Sequence, residues 1–355
     1  MNDISSVYIH IPFCIKICTY CDFCKMYYDF FDAKEYLLAL KEEISKNYKG
    51  DLIKTLYIGG GTPSCLNEEE LTLLFDIIKI FNLSSDLEFT FECNVSSIDD
   101  DFLSLLKKGG VNRLSIGVQS FNEKILNILG REKTSFDKLE LAKKYFDNIN
   151  IDLIYGVNGE SISDLGEDLE KFLSLDVSHI SIYSLILEDN TILKVNNYEE
   201  ISDDLNRDMY DLIVSTLKRH GYVHYEISNF AKEGYKSLHN LCYWNNDKYY
   251  GFGLGASGYI SNIRYTNTRN IKKYLRGDYL CYKEVISKKV DMENFMILGL
   301  RKIEGVSNYE FKKRYGLSIK DVFDTKKLDF SNDMWYISEQ NLFISNLVLQ
   351  DFIDI

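Results

Sequence analysis

Proline is nearly absent from this chain: Pro12 and Pro63 are the only two in 355 residues, and each stands inside a candidate site loop. Basic residues are outnumbered, 41 Lys and Arg against 54 Asp and Glu, for a formal charge of −13. That balance argues against a general nucleic-acid binder, which would carry a basic face, but leaves room for a local basic pocket around an anionic ligand. No uninterrupted apolar run comes near the roughly 18 residues of a membrane-spanning helix. No charged-then-apolar leader opens the chain either, so the expected location is cytoplasmic. Repeats and low-complexity tracts are also missing, which excludes a repeat array. What is present, 45% hydrophobic and 27% charged residues, suffices for a sizeable core under an ordinary soluble surface. Barrel folds routinely reach about 250 residues or more as one unit.

In a reducing compartment the eight cysteines point to metal ligation or plain burial, not to a disulfide framework. Cys65, Cys93, Cys242 and Cys281 lie apart beside apolar sequence and read as packing residues. Cys14, Cys18 and Cys21 are different: spaced C-x3-C-x2-C, they follow directly on the apolar run Val7–Ile11. Thiolates are soft ligands for iron–sulfur clusters, zinc or copper. A structural zinc site wants a fourth ligand, commonly in paired C-x2-C knuckles. A bacterial ferredoxin cluster wants four cysteines spaced C-x2-C-x2-C-x3-C. Three thiolates can also wrap one face of a cubane and leave one iron open. A fourth cysteine, Cys24, does follow, but the order of spacings fits neither of the first two templates.

The first two-thirds of the chain alternates short β-branched runs with amphipathic stretches. Strands are expected at Val7–Ile11, Thr55–Ile58, Glu88–Glu92, Arg113–Val118, Ile151–Tyr155 and Ile180–Leu185, and helices near 33–47, 68–80, 99–108, 122–129, 136–147 and 163–174. Such repeated βαβ units imply a parallel sheet with right-handed crossovers. The expected fold is α/β, a partial parallel (β/α)6-type barrel over residues 1–285, followed by a small helical or α+β domain over 286–355. In that second part Met292–Arg301 is apolar at helical spacing, Gly305-Val306-Ser307 opens another helix, and residues 336–349 read as one or two short strands. A winged-helix-like cap of this kind often suggests nucleic acid, but the acidic ending argues against it.

Polar or Gly-rich residues fall at successive strand ends: Cys14, Gly59-Gly60-Gly61-Thr62-Pro63, Glu92, Gln119, Asp152, then Tyr183 and Ser184. In parallel barrels the ligand site is built at that rim. The glycines allow close backbone approach and offer free N–H donors, or else serve only a tight turn. Glu92 follows an apolar strand, where burial without a partner would be costly, and a capping or salt-bridge role is the alternative. Arg113 can simply pair with a carboxylate, while Arg131 can cap helix carbonyls or grip a ligand carboxylate.

Read together, Tyr8-Ile9-His10-Ile11-Pro12-Phe13-Cys14, the Cys18/Cys21 pair, Gly59 to Ser64, Asn112 to Phe121 and Asp152-Leu153-Ile154-Tyr155-Gly156 carry a resemblance. In that order they resemble the radical S-adenosylmethionine (SAM) family of oxygen-independent coproporphyrinogen III dehydrogenases and their HemW-type relatives, along essentially the whole chain. The resemblance implies a [4Fe-4S] cluster on Cys14, Cys18 and Cys21 whose open iron chelates SAM. It implies SAM contacts at Tyr8, Gly60, Gly61, Thr62 and Glu92, with contacts of a second SAM mapping to Tyr20, Gln119, Arg131, Asp152 and Ser184.

The dehydrogenases resemble C-x3-C-x2-C-x-C, but Phe23 occupies that last position here and Cys24 comes one residue late; the Cys21-Asp22-Phe23 continuation resembles the HemW-type relatives. His239-Asn240-Leu241-Cys242-Tyr243-Trp244 resembles their haem motif, which implies haem contact at His239, Tyr243 and Trp244. An imidazole beside two aromatic rings suits an axial ligand, although the residues taken alone favour a capping or core histidine with Tyr243 and Trp244 as packing; the resemblance turns the reading toward haem contact. Lys133 and Ser257 stand where the family often has histidine. The expected function is haem binding and delivery to haem-accepting apoproteins. The alternatives are oxidative decarboxylation of coproporphyrinogen III, or radical SAM methyl transfer. The resemblance further implies haem or porphyrin as cargo, an electron donor of flavodoxin or ferredoxin type, a peripheral membrane contact, a monomer or dimer, and no nucleic acid.

Overall fold

A computed structural model describes residues 4–353. Its main sheet is built from β1 (Ser6–Ile11), β2 (Leu52–Gly60), β3 (Asn82–Asn94), β4 (Arg113–Gln119), β5 (Asn148–Tyr155) and β6 (His179–Ser184), adjacent in chain order and all parallel. All six expected strands are present, and most run longer than expected. Between them lie α1 (Phe30–Asn47), α2 (Glu68–Ile78), α3 (Asp100–Lys108), α4 (Glu123–Ile128), α5 (Phe136–Tyr145) and α6 (Ile162–Leu175). The helix starts are written locally. Asn67 and Glu70 form a capping box on α2, and three glutamates in its first turn complement the helix dipole. Ser161 and Asp164 do the same for α6.

Through most of its length each strand alternates. Its apolar residues, such as Val7 and Ile9, Leu56 and Ile58, Phe89 and Phe91, Leu114 and Ile116, or Ile180 and Ile182, are buried under the helices and form the main core. Its other residues face the concave side and are polar: Ser6, Tyr8 and His10; Thr55 and Tyr57; Glu88, Thr90 and Glu92; Arg113 and Ser115; Asn150 and Asp152; His179 and Ser181. The barrel interior is therefore a stack of hydrogen bonds, including Thr55 to Ser6 at 2.8 Å, Asn150 to Ser115 at 2.8 Å and His179 Nδ1 to Asn150 Oδ1 at 2.6 Å.

After β6 the chain departs from the βα rhythm. Helix α7 (Asp203–Arg219) leads to a hairpin, β7 (Val223–Glu226) and β8 (Asn229–Ala231), which adds antiparallel beyond β6. Helix α8 (Leu238–Trp244) follows, and β9 (Tyr250–Phe252) then pairs parallel with β1 at the opposite edge. The sheet order is β9-β1-β2-β3-β4-β5-β6-β8-β7. These short late strands lack a periodic run long enough to be read from sequence.

The C-terminal part has its own hydrophobic cluster, from Met292 and Phe295 to Phe352. It contains α9 (Lys288–Gly299), α10 (Asn308–Tyr315, with Ser307 as N-cap) and a three-stranded sheet of Val306–Ser307, Met334–Tyr336 and Asp329–Ser331. The strands expected over 336–349 are corrected: they lie earlier, around Asn332-Asp333, whose φ values of 49° and 66° make the tight turn a short hairpin needs. Residues 339–349 are helical turns instead. Asp291 joins the two parts, accepting from Tyr259 at 2.6 Å, Asn246 at 2.8 Å and Tyr315 at 2.9 Å. Burial pushes its carboxyl up, but these donors and Lys248 hold it below the usual carboxylate range. Among the described residues no helix is long and apolar enough to cross a membrane.

Candidate functional site

The C-terminal ends of the strands surround a cavity of about 320 Å³ lined by Cys14, Cys18 and Cys21, and by Tyr20, Gly60, Gly61, Thr62, Glu92, Gln119, Arg131 and Asp152. A second cavity of about 340 Å³ shares Lys16, Cys18, Thr62, Gly117 and Arg131 with it. Backbone pairing gathers this mouth. Gly61 N donates to Ile11 O and Thr62 N to Phe13 O, both at 2.8 Å, which zips the glycine loop onto the exit of β1. A Cβ at Gly61 would stand 2.8 Å from Phe13 O and 2.9 Å from Cys14 Sγ, and Gly60 takes φ 125°, so neither position tolerates a side chain without movement. The cysteine loop is tied down by Thr19, which bonds Leu129 O through its N–H and Ile128 O through its hydroxyl.

The thiols have specific neighbours. Thr62 Oγ1 donates to Cys14 Sγ at 3.5 Å and Arg131 Nη1 to Cys18 Sγ at 3.6 Å, while Lys25 bonds the Cys21 carbonyl. Burial raises the Cys14 and Cys21 thiols. Among the described residues no three His, Cys, Asp or Glu side chains converge where a single metal ion would sit. Cys14, Cys18 and Cys21 line one cavity, and a soft three-thiol rim of this kind fits a cluster with one iron per thiolate. Cys24 lies outside this rim. Its carbonyl accepts from His10 Nε2 at 2.7 Å, and its side chain packs against Gly255, where a Cβ would stand 2.9 Å from its sulfur.

Two carboxyls face the mouth. Glu92 accepts from Tyr57 OH at 2.7 Å and from Gly60 N at 3.1 Å. Burial, with Asp152 adding to it, pushes its pKa up to about 7. Asp152, also raised by burial, accepts from Asn150 Nδ2 at 2.7 Å and from Ser115 at 3.3 Å. Gln119 has two features common at ligand sites: φ is 73°, a region non-glycine residues rarely adopt, and its buried Oε1 has no partner among the described residues. Arg131 bonds the Gly117 carbonyl and keeps its guanidinium beside Cys18.

Two expected SAM residues do not line the mouth. Tyr8 lies beneath it, with its OH 2.9 Å from His10 Nδ1, and Ser184 turns to Asn206 at 3.2 Å, while Ser181 and Tyr183 take the mouth positions on β6. Sequence reasoning missed Tyr57, Ser115, Asn94 and the Ser228-Asn229 turn as lining residues. The first three were findable from the alternation alone. The turn was not, since its hairpin was unread.

The haem motif sits elsewhere. Helix α8 closes the bottom of the barrel, with its first N–H groups, Leu238 and His239, each bonded at 2.9 Å to the Glu88 carboxylate. His239 is 1% exposed; its Nδ1 is 2.9 Å from Thr55 Oγ1 and its Nε2 2.8 Å from Tyr243 OH. Both ring nitrogens are therefore engaged, and burial lowers its pKa to about 3. The structure does not present this imidazole to a ligand. Trp244, at the other end of the block, borders a cavity of about 300 Å³ between α8 and the C-terminal part. Of the five histidines only His220 is exposed, with Nδ1 2.9 Å from Thr216 O.

Comparison with known proteins places these features in context. Residues 8–172 match the radical SAM superfamily profile and residues 286–341 that of the HemN C-terminal domain. The heme chaperone HemW of Lactococcus lactis subsp. lactis is 39% identical, covering 98% of this chain and 97% of its own. HemW of Bacillus subtilis is 39% identical over 98% and 99%, and that of Escherichia coli 31% over 98% and 98%. The solved structure of coproporphyrinogen III oxidase (HemN) from Escherichia coli, described as a radical SAM enzyme, has the same fold, with a TM-score of 0.88 over 99% of this chain and 91% of its own at 22% identity.

Proposed function

Because the chain belongs to the HemW family of radical SAM proteins, we propose that it binds haem and delivers it to haem-requiring apoproteins. Full-length likeness carries this reading: 39% identity over 98% of the chain to a protein named as a heme chaperone. Family membership implies a [4Fe-4S] cluster and SAM, and when bound these supply one-electron chemistry or a supporting role in transfer. In this reading Cys14, Cys18 and Cys21 hold the cluster. The free N–H groups of the glycine loop and the Glu92 carboxylate take the carboxylate and ammonium of SAM. Asp152, Gln119, Arg131 and Tyr20 hold the remaining polar groups of the mouth. Tyr8 acts from beneath through His10, and Ser184 from behind β6.

The haem contact expected of His239, Tyr243 and Trp244 is assigned to the Trp244 end, which borders the cavity at the junction; His239 stays inside. The reading also takes residues 1–285 and 286–355 as separate domains, supported by their separate hydrophobic clusters. An electron donor of flavodoxin or ferredoxin type, a peripheral membrane contact and a monomer–dimer equilibrium belong to it as well.

One anaerobic experiment on the reconstituted protein tests it, following haem absorbance, 5′-deoxyadenosine release and porphyrin product side by side. Stoichiometric haem without vinyl product from coproporphyrinogen is the expected result. Product without stable haem binding would assign the chain to porphyrinogen oxidation instead. Repeating the haem titration on His220→Ala and Trp244→Ala locates the cargo.

A further inference from the structure

The block that resembles a haem motif is wired to the opposite end of the barrel. The ring of His239 lies 5.1 Å from the ring of Tyr57 at a tilt of 31°, and the Tyr57 hydroxyl donates to Glu92 Oε1 at 2.7 Å. We propose that His239 is a positioning residue for the SAM site, holding Tyr57 so that its phenol fixes the Glu92 carboxylate. This rests on the assignment of Glu92 to the SAM ammonium.

The hydrogen bonds around His239 leave it one arrangement. Thr55 spends its single hydroxyl proton on Ser6 Oγ at 2.8 Å, so it accepts from His239 Nδ1–H. Nε2 is then the acceptor, and it receives the Tyr243 phenol at 2.8 Å. The lone pair that an iron atom would need is already used. A neutral, doubly tethered imidazole makes a rigid wall for a neighbouring aromatic ring. Tyr57 stands on the concave side of β2 between two rings, His239 at 5.1 Å and Tyr8 at 6.1 Å, and His239 is the nearer of the two. Among the described residues Glu92 in turn has two donors, Tyr57 OH and Gly60 N. Loosening Tyr57 removes one of them and lets the carboxylate leave the geometry that an ammonium requires. Residues acting at one remove in this way commonly change affinity by about 10–100-fold.

The test is a double-mutant cycle on the cluster-loaded protein, with SAM affinity as readout and iron content and thermal stability measured on every variant. His239→Ala is expected to weaken SAM about tenfold with iron unchanged, and Tyr57→Phe to do the same. In the Tyr57→Phe background, His239→Ala should then add little. A purely structural role would lower stability in both backgrounds without this coupling. His239→Gln, which retains one hydrogen bond, replaces the alanine variant if that fails to fold. Equal and additive losses, or unchanged SAM affinity in His239→Ala while Glu92→Gln weakens it, would overturn the inference. Unchanged affinity in Glu92→Gln would instead overturn the SAM assignment itself. Haem stoichiometry should survive in His239→Ala; its loss with SAM affinity intact would make His239 a haem ligand.

Discussion

At the scale of single residues, the cysteines and carboxyls make the sharpest predictions. Cys14, Cys18 and Cys21 line one mouth, whereas Cys24 packs against Gly255. Replacing any of the first three by serine should abolish most of the bound iron, and Cys24→Ser should keep it, as read by iron content and cluster absorbance. Glu92 adds a pH dependence. Its folded pKa of about 7 lies above the ordinary value of 4.5 for a glutamate, so the folded state holds the proton more tightly than the unfolded one. Its contribution to stability is therefore full below about pH 4.5 and is lost as pH rises toward 7. Cation binding runs the other way, since it needs the carboxylate. Between pH 6 and 8 the ionised fraction rises from about one tenth to nine tenths, so SAM affinity should climb about tenfold, and Glu92→Gln should flatten the profile. These residues were legible because thiols, glycines and an isolated carboxyl stand out from their neighbours. His239 was equally visible yet its surroundings were not, because Thr55 and Tyr57 lie some 180 positions away in the chain.

At the scale of elements, alternation was the legible signal and its meaning was only half read. Parallel strands covered on both faces usually read as continuous apolar runs. Here every second residue is polar, as in Asn148-Ile149-Asn150-Ile151-Asp152. That pattern marked the strands, and it also encoded a hydrogen-bonded interior, from which Tyr57 and Ser115 could have been named as site residues. The hairpin of β7 and β8 and the strand β9 escaped because three or four residues carry no period. The segment that forms α8 was recognised by motif alone, and neither its helix nor its place in the barrel was read. Its position is set by Glu88, whose carboxylate takes two N–H groups of its first turn. Glu88→Ala removes the acceptor of both groups, leaving the buried His239 N–H without a partner, and should cost ~1–3 kcal/mol. Glu88→Gln, able to accept only one bond well, should cost less. Chemical denaturation of the two variants measures both.

For the whole molecule, two hydrophobic clusters meet through a polar hub at Asp291. Asp291→Ala should loosen the C-terminal part while leaving the barrel folded, seen as new protease cleavage near residue 286 and a second, earlier thermal transition. Exposed ion pairs, such as Lys218 with Glu339, should matter far less, within ~1 kcal/mol. The expected division near residue 285 rested on where the strand–helix rhythm was read to stop, although that rhythm ends with β6 at Ser184; the hub was not legible, since Tyr259, Asp291 and Tyr315 do not stand out as letters. The placement of α8 at the base of the barrel has one more consequence, for synthesis. The six parallel strands are complete by Ser184, yet the helix that closes them and the strand that pairs with β1 come only at residues 238–252. A growing chain thus carries an open, polar trough for some time before its base can shut. A nascent chain halted before residue 238 should expose Thr55 and Glu88 to water, and one halted well beyond 252 should not.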